Sequence, residues 1–489
     1  MSGGKPLDLA SLDARLPGRI AEILNAARVP GAAIAVVRGE DAYIATFGVK
    51  RTGASDPVTA ATAFDIGSCA KSYVATAIAV LVSAGKLSFD DPVRKYVPEF
   101  EVDDPWISAN ATIRDLLANR LGLARQRPIE AFPAPHITLA EILRRLKHLR
   151  RAYPFRAGYV YFNLGFMICA EIVARVSGMP YAQFMEERLF RPLGMTDSQS
   201  GGRAFARIPD RAVGHTASTG TVTAIPEQEF DVVQGAGCIH SSAADALQWL
   251  RFHLGLIEND SIANPAHIRE LHRAHTIMPP EETGLMHRVP EAVQTCYGLG
   301  WWQSDFNANR LVQHAGGMFG WRAQTSLMPG KGVGVAVYLN IAANVHSAIA
   351  YLIHETILTG APRNWGAVAQ THQRRVAEEL TAMMARYVPA ERGAPASLPL
   401  AAFEGVYTHP AAGEIEIVRD DGDGLLMKQL DGRLWDFALR HYGGDVFEAT
   451  FADPAVRDYL PVPGRTRFTV KDGVAVAFEE PGTRYARRS

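Results

Sequence analysis

The sequence predicts an α/β protein: an antiparallel sheet flanked by helices, a mostly helical subdomain, and a separate C-terminal antiparallel β-barrel domain. Three observations carry this. Strand-like runs at 32–38 and 42–48 open the chain; strand-like runs return at 312–313, 323–328 and 332–340 after a long helical middle; and the texture changes near residue 400 to short alternating runs cut by Asp-Gly turns. Putting the first two strand groups into one sheet is the simplest closure.

Each element has a local reason. Gly39-Glu40-Asp41 joins the first two strands as a hairpin. Residues 68–84 are Ala-rich and apolar nearly all round, which marks a buried helix, and Gly85 stands where a left-handed cap should end it. Helical spacing of apolar residues recurs at 113–120, 139–149, 164–176 and 243–254, and again at 343–358 and 367–387. Pro329-Gly330-Lys331 turns between strands, and the stretch 389–396 reads as a linker. Beyond it, Asp421-Gly422, Asp423-Gly424, Asp431-Gly432 and Asp472-Gly473 are hairpin signals between runs such as Glu414-Ile415-Glu416-Ile417-Val418. The expected divisions are 1–362, a helix and linker at 363–399, and a barrel at 400–489.

Composition narrows the function. The 489 residues are 47% hydrophobic and 21% charged, which is ordinary for a globular protein. Fifty basic residues against 51 acidic give a formal charge of −1, so a nucleic-acid or membrane-surface partner is not expected. The four cysteines form no C-x-x-C pair, and no His, Cys, Asp or Glu cluster has metal-ligand spacing; no metal and no cofactor are expected. With no apolar segment after the charged run 7–19, and none long enough to span a bilayer, a cytoplasmic protein is expected.

The chemistry concentrates in three places. S-x-x-K occurs at Ser2-Gly3-Gly4-Lys5, near the first residue, at Ser83-Ala84-Gly85-Lys86, across a helix end, and at Ser68-Cys69-Ala70-Lys71. Only the last opens a buried helix, where positions i and i+3 share a face and the Lys71 amine can reach the Ser68 oxygen. Burial disfavours the charged amine and helps it take a proton, while the helix N-terminus offers N–H groups and positive dipole to a developing anion. The same residues also read as a serine cap with a solvated lysine.

Tyr161-Phe162-Asn163 precedes the helix at 164–176. The Tyr161 phenol can exchange a proton with Ser68 and the Asn163 amide can bind a substrate carbonyl; the alternative is a half-buried aromatic followed by a helix N-cap. Tyr338-Leu339-Asn340 and Ser108-Ala109-Asn110 are rivals. In His314-Ala315-Gly316-Gly317, Gly316 and Gly317 let a substrate backbone approach, the Gly317 N–H can join that of Ser68 as an oxyanion hole, and His314 can support proton traffic. A glycine-rich turn with a surface histidine is the plainer reading, and His441-Tyr442-Gly443 is a rival.

In this order, with Phe64-Asp65-Ile66-Gly67, Leu87-Ser88-Phe89-Asp90-Asp91-Pro92, Leu189-Phe190-Arg191-Pro192-Leu193-Gly194-Met195, Gly235-Ala236-Gly237 and Tyr297-Gly298-Leu299-Gly300-Trp301 between and around them, the sequence resembles the serine β-lactamase and penicillin-binding-protein superfamily. The likeness spans about residues 20–360. It is greatest to the class C-like branch of D-aminopeptidases, D,D-carboxypeptidases and family VIII esterases. Residues 400–489 resemble the lipocalin-like module of some of these hydrolases.

The resemblance implies a β-lactamase-like fold and a covalent acyl-enzyme. Ser68 would attack a carbonyl, Lys71 and Tyr161 would share acid–base duties, Asn163 would position the acyl amide, and the N–H groups of Ser68 and Gly317 would hold the oxyanion. His314 stands where relatives often carry the lysine of K-T-G. The implied substrate is a small amide, a peptide (D-residues included) or an ester. An acyltransferase using the same intermediate and a catalytically silent binding or scaffold protein are the alternatives. A homo-oligomer whose C-terminal module reaches a cleft is a further option.

Two stretches depart from the pattern. Asn119-Arg120-Leu121-Gly122-Leu123 replaces H-T-S-G-L, and Phe162 replaces a small residue, which would bring a bulky ring to the site and hinder β-lactam turnover. Among other residues, Trp301, Trp302 and Trp321 can line an acyl pocket or pack in the core. His240 can border the cleft or pack, Arg322 can bind a carboxylate or pair at the surface, and Cys69 reads as a small buried hydrophobe.

Overall fold

A computed structural model describes Leu12 and residues 16–124, 137–218, 220–227, 231–257, 261–278, 292, 294–430, 436–459 and 462–488. Ser2-Gly3-Gly4-Lys5 and Asp431-Gly432 lie outside the described residues. The chain falls into two compact units, one drawn from Met1–Pro98, Ala109–Gly122 and Tyr153–Gln373, the other from Glu99–Ser108, Leu123–Ala152 and Arg374–Ser489.

The first unit is built on an antiparallel eight-stranded sheet. Its strands are β1 (Gly31–Arg38), β2 (Asp41–Gly48), β3 (Thr276–Ile277), β4 (Thr295–Tyr297), β5 (Trp302–Phe306), β6 (Asn309–Met318), β7 (Trp321–Met328) and β8 (Val333–Leu339). Their order is β2-β1-β8-β7-β6-β5-β4-β3, so both strand groups expected from the sequence do share one sheet. The β1–β2 hairpin closes with Arg38 opposite Asp41.

Alternation explains why β1 is buried along nearly its whole length. Ala32, Ile34 and Val36 enter a core with Ile20 of helix α1 (Pro17–Ala26), Val335 and Val337 of β8, and Ile349 and Ile353 of a later helix, His346–Thr359. The small residues Ala33 and Ala35 face the other way, and the helix Ala243–Leu254 packs against β1 and β8. Helix α2 (Ala70–Ser83) is buried on nearly every face, as its composition requires, and Gly85 follows it at φ +67.

Two features differ from the sequence expectation. Strand β6 runs through His314–Gly317 and ends at Met318, so the glycine pair lies inside a strand instead of in a turn. Strands β3, β4 and β5 extend the sheet beyond β6; they are short, and β5 carries Gln303, Ser304 and Asp305, which blurs the apolar signal.

In the second unit eight antiparallel strands close into a barrel between Gly405 and Arg487. Asp472 and Gly473 both take positive φ at the tight turn where Lys471 faces Val474, as the Asp-Gly signal predicts. The stretch 389–396 is not a loose linker. Gly393 N–H donates to Tyr442 O at 2.8 Å and Gly444 N–H donates to Ala394 O at 2.8 Å, which fastens it to the barrel wall.

The barrel interior is filled by aromatic rings. Phe468 sits at their centre, its ring centroid 4.8 Å from Phe403, 5.4 Å from Phe447, 5.7 Å from Phe478 and 5.9 Å from Tyr407. Truncating that hub removes contacts from four neighbours at once. Phe468→Ala is expected to destabilise the barrel by about 3–5 kcal/mol, read as an earlier barrel transition in denaturant unfolding of the full chain.

Candidate active site

The nucleophile candidate is placed by a change of helix type. Gly67–Cys69 form one turn of 3-10 helix that runs directly into α2, with Ser68 half-buried at its centre. Lys71, one turn on, is 0% exposed, and its Nζ donates to Ser68 Oγ at 3.1 Å and to Ala236 O at 2.9 Å. The carbonyl of Ala236 comes from the Gly235-Ala236-Gly237 turn. The same nitrogen lies 4.7 Å from the Tyr161 ring centroid and 5.4 Å from that of Phe166. Cys69 is not a competing nucleophile: burial pushes its thiol up to about 12, and Sγ–H donates to His314 O at 3.2 Å.

Strand β6 meets this turn backbone to backbone. A Cβ on Gly316 would lie 1.9 Å from Ile66 O and 3.2 Å from Ser68 N, so only glycine permits the approach. Gly67, at φ +50, brings its own Cα hydrogens to the Gly317 backbone: a Cβ there would lie 2.7 Å from Gly317 N. The backbone nitrogens of Ser68 and Gly317 therefore belong to one cluster.

His314 lies beside Tyr161, the ring centroids 6.3 Å apart. It is 0% exposed and is stacked on Trp302 at 4.3 Å and 11°. Its Nδ1 lies 2.7 Å from Ala315 O and its Nε2 3.2 Å from the Tyr297 hydroxyl. A carbonyl accepts only, so Nδ1 carries the proton and Nε2 accepts from Tyr297, assigned here from the partners. Burial pushes the Tyr297 phenol well above its ordinary value, which keeps that donor protonated. His314 is thus neither a surface residue nor exposed to solvent for proton traffic.

Tyr161 and Asn163 are both half-buried, and Asn163 is the first residue of helix α3 (Asn163–Ser177). Phe162 between them is extended, at φ −131 and ψ 90, so it points the opposite way. Two pocket expectations are corrected on that account. Phe162 is 2% exposed, its ring lying where a Cβ on Gly165 would come within 3.2 Å; it packs in the interior. Trp321 is 6% exposed and sits edge-on to Phe64 and Phe205 at 6.0 and 5.8 Å. Half-buried Trp302, the first residue of β5, lies near Tyr161, centroids 6.1 Å apart, while Trp301 just before it is buried.

A buried carboxylate holds the Tyr161 loop. Asp115 is 0% exposed, and accepts from Arg120 Nε at 2.6 Å and from Arg156 Nε and Nη2 at 2.9 and 2.7 Å. It also closes a capping box with Thr112. Arg156 lies in the turn before Tyr161, so this carboxylate ties that turn to the helix Ile113–Leu117. Asn119, at φ +54, completes the tie: its O accepts from Val160 N at 3.0 Å and its Oδ1 from Phe162 N at 2.9 Å. The departure at Asn119-Arg120 thus carries its own bonds. The Thr112-x-x-Asp115 spacing was a legible cap; its link to Arg156 was not.

The rivals have structural roles. Asn340 Oδ1 accepts from Gly31 N at 2.7 Å, Ser83 Oγ bonds Ala79 O at 2.7 Å, Ser108 Oγ accepts from Val102 N at 2.9 Å, and His441 lies within the barrel unit, 2.8 Å from Gly444 O. Arg322 is 4% exposed, its Nε on Asn344 Oδ1 at 2.7 Å.

A family model described as Beta-lactamase matches residues 16–357, most of the chain. The chain belongs to the beta-lactamase family. A second model, a domain of unknown function, matches residues 389–483. Among curated relatives of this beta-lactamase family chain, an unguisins hydrolase of Aspergillus campestris is 25% identical over 83% of the chain and 78% of its own length. Penicillin-binding protein 4 of Amycolatopsis lactamdurans is 28% identical over 64% of the chain and 81% of its own length. The octameric penicillin-binding protein homologue of Pyrococcus abyssi matches in fold with TM-score 0.64 and 22% identity, covering 98% of this chain and 100% of that one. A D-stereospecific amidohydrolase from Streptomyces sp. matches with TM-score 0.57 and 20% identity over 73% of this chain and 100% of its own. Beta-lactamase family members are serine hydrolases. No described helix is long and apolar enough to cross a membrane.

Two outcomes are expected from this geometry. Burial raises the pKa of Asp115, but the bonds from Arg156, the Thr112 backbone and Arg120 outweigh it and hold the carboxyl below the usual carboxylate range. A depressed pKa stabilises the fold above the unfolded value of about 3.9, and that stabilisation disappears as pH falls through the lower folded value. Asp115→Asn should cost about 1–3 kcal/mol at pH 7 in urea unfolding, and the gap to wild type should narrow below about pH 4. Gly316→Ala should lower the melting temperature by several degrees and slow any reaction at Ser68, because strand and turn must separate to admit the methyl group.

Proposed function

We propose that the protein is a serine hydrolase that opens a small amide, peptide or ester bond through an acyl-enzyme on Ser68. The 3.1 Å bond from Lys71 Nζ to Ser68 Oγ, at the mouth of a buried helix, is the observation that carries this reading. Lys71 and Tyr161 take the hydroxyl proton as Ser68 attacks and return it to the leaving group. The N–H groups of Ser68 and Gly317 stabilise the oxyanion, and Asn163 binds the acyl amide. His314, with both ring nitrogens engaged by protein groups, orients the site instead of carrying protons.

Peptides or amides with D-residues are the favoured substrates. That preference draws on the D-stereospecific amidohydrolase and on a D-alanyl-D-alanine-carboxypeptidase/endopeptidase of Escherichia coli, 24% identical over 63% of the chain. A self-associating, cytoplasmic enzyme with a lipocalin-like C-terminal module belongs to the same proposal, with the octameric penicillin-binding protein homologue of Pyrococcus abyssi as support for assembly.

A fluorophosphonate probe followed by peptide mapping tests it. Labelling should fall on Ser68, vanish in Ser68→Ala, and slow about 10²–10⁴-fold in Lys71→Ala. An unlabelled wild-type chain, beside a serine hydrolase control that reacts, would instead favour a silent binding protein.

A further inference from the structure

Asp65 lies three residues before Ser68 and touches the reacting groups only through the backbone. It is 8% exposed, and its Oδ1 accepts from the Gly67 N–H at 2.7 Å, closing a tight turn around Ile66. Gly67 holds φ +50 inside that turn and abuts the Gly317 backbone, with 2.7 Å from a built Cβ to Gly317 N. The position of Gly67 therefore sets the spacing between the backbone nitrogens of Ser68 and Gly317.

The carboxylate is itself held from behind. Asp65 pairs with His240 where the short strand Phe64–Asp65 meets Ile239–Ser241, and the Ile66 N–H donates to Ile239 O at 3.1 Å. Asp65 Oδ2 lies 3.5 Å from His240 Nε2. The His240 ring is 2% exposed and is stacked on Phe205 at 4.2 Å and 16°, which leaves it little room to move. Burying a carboxylate and an imidazole in this way costs stability unless the geometry is used.

We infer that Asp65, braced by His240, is a positioning residue that fixes the Gly67 turn and so the alignment of the Ser68 and Gly317 N–H groups toward an oxyanion. This rests on the hydrolase reading above. Misplacing an oxyanion donor by about an ångström is worth up to ~10²-fold in rate, so the effect belongs in turnover and not in substrate binding.

The experiment compares wild type, Asp65→Ala and Asp65→Asn by the rate of Ser68 labelling with a fluorophosphonate, by affinity for an arylboronic acid, and by kcat and KM on a hydrolysed amide or ester. Boronate binding reports the oxyanion site because its adduct is tetrahedral. Asp65→Ala should slow labelling about 10–100-fold, weaken the boronate in parallel, and lower kcat at unchanged KM. Asp65→Asn keeps an acceptor for Gly67 and should recover most of each loss. Asp65→Ala within twofold of wild type overturns the inference, as does an Asp65→Asn variant that is folded yet as slow as Asp65→Ala. Should Asp65→Ala not fold, His240→Ala decides: kcat reduced at least threefold and rescued by His240→Gln supports the brace, and an unchanged kcat refutes it. A wild-type chain that never labels sinks the hydrolase reading and this inference together, whereas normal labelling in every variant sinks the inference alone.

Discussion

The site depends on one close approach of backbone to backbone. Strand β6 passes the Ile66–Ser68 turn so tightly that a methyl group on Gly316 would stand 1.9 Å from a carbonyl oxygen. It brings the main-chain nitrogens of Ser68 and Gly317, almost 250 positions apart, into one cluster without a side chain between them. The sheet makes the approach rigid: β6 pairs with β7 from Val312 to Met318, through the glycine pair itself, and with β5 from Asn309 to Gln313 just before it. The buried helix α2 holds the other partner in the same way. Two rigid elements in glycine contact give a preorganised site, which is where electrostatic stabilisation costs least at the moment of reaction.

Buried polar side chains hold the turns around this contact. Asp115 ties the Arg156 turn to a helix, Asn119 ties the backbone at Val160 and Phe162, and Asp65 ties Gly67. Each replaces a hydrogen bond the loop would otherwise make to water. Apolar packing can hold a helix or a strand but does not define a loop conformation, because a loop's backbone donors still need acceptors. Charged acceptors give shorter and stronger bonds than neutral ones. That is a physical reason for carboxylates, and not only apolar residues, beneath the segments that carry Ser68 and Tyr161.

The fold and the Ser68–Lys71 contact were legible where the information is local. Ser68 and Lys71 are three apart on one helix, so spacing alone puts amine beside hydroxyl; the β1–β2 hairpin, Gly85 and the Asp472-Gly473 turn were equally readable. Side-chain direction was not. Phe162 and Trp321 were expected at the substrate, yet Phe162 is the buried residue between two half-buried ones, Trp321 opens a strand buried along its whole length, and a single position separates buried Trp301 from half-buried Trp302. The edge strands β3 to β5 were missed because short, half-polar strands are stabilised by the neighbour they pair with and not by their own composition. The Asp115–Arg156 pair, 41 positions apart, leaves no periodic trace.

His314 shows how the partners of a ring decide what an imidazole can do. The residue was expected near the site, and it is near Tyr161. An imidazole can shuttle a proton only if one ring nitrogen faces the reacting group while the other tolerates the change of charge. Here Nδ1 meets the Ala315 carbonyl and Nε2 meets the Tyr297 hydroxyl, and the ring is shut between Trp302 and the sheet with no exposure to solvent. Both ring nitrogens are thus committed to protein groups, Nδ1 to a carbonyl and Nε2 to a phenol that burial keeps protonated. Under the hydrolase reading the movable protons then reside on Lys71 and Tyr161, and His314 acts by holding its place between Ala315 and Tyr297.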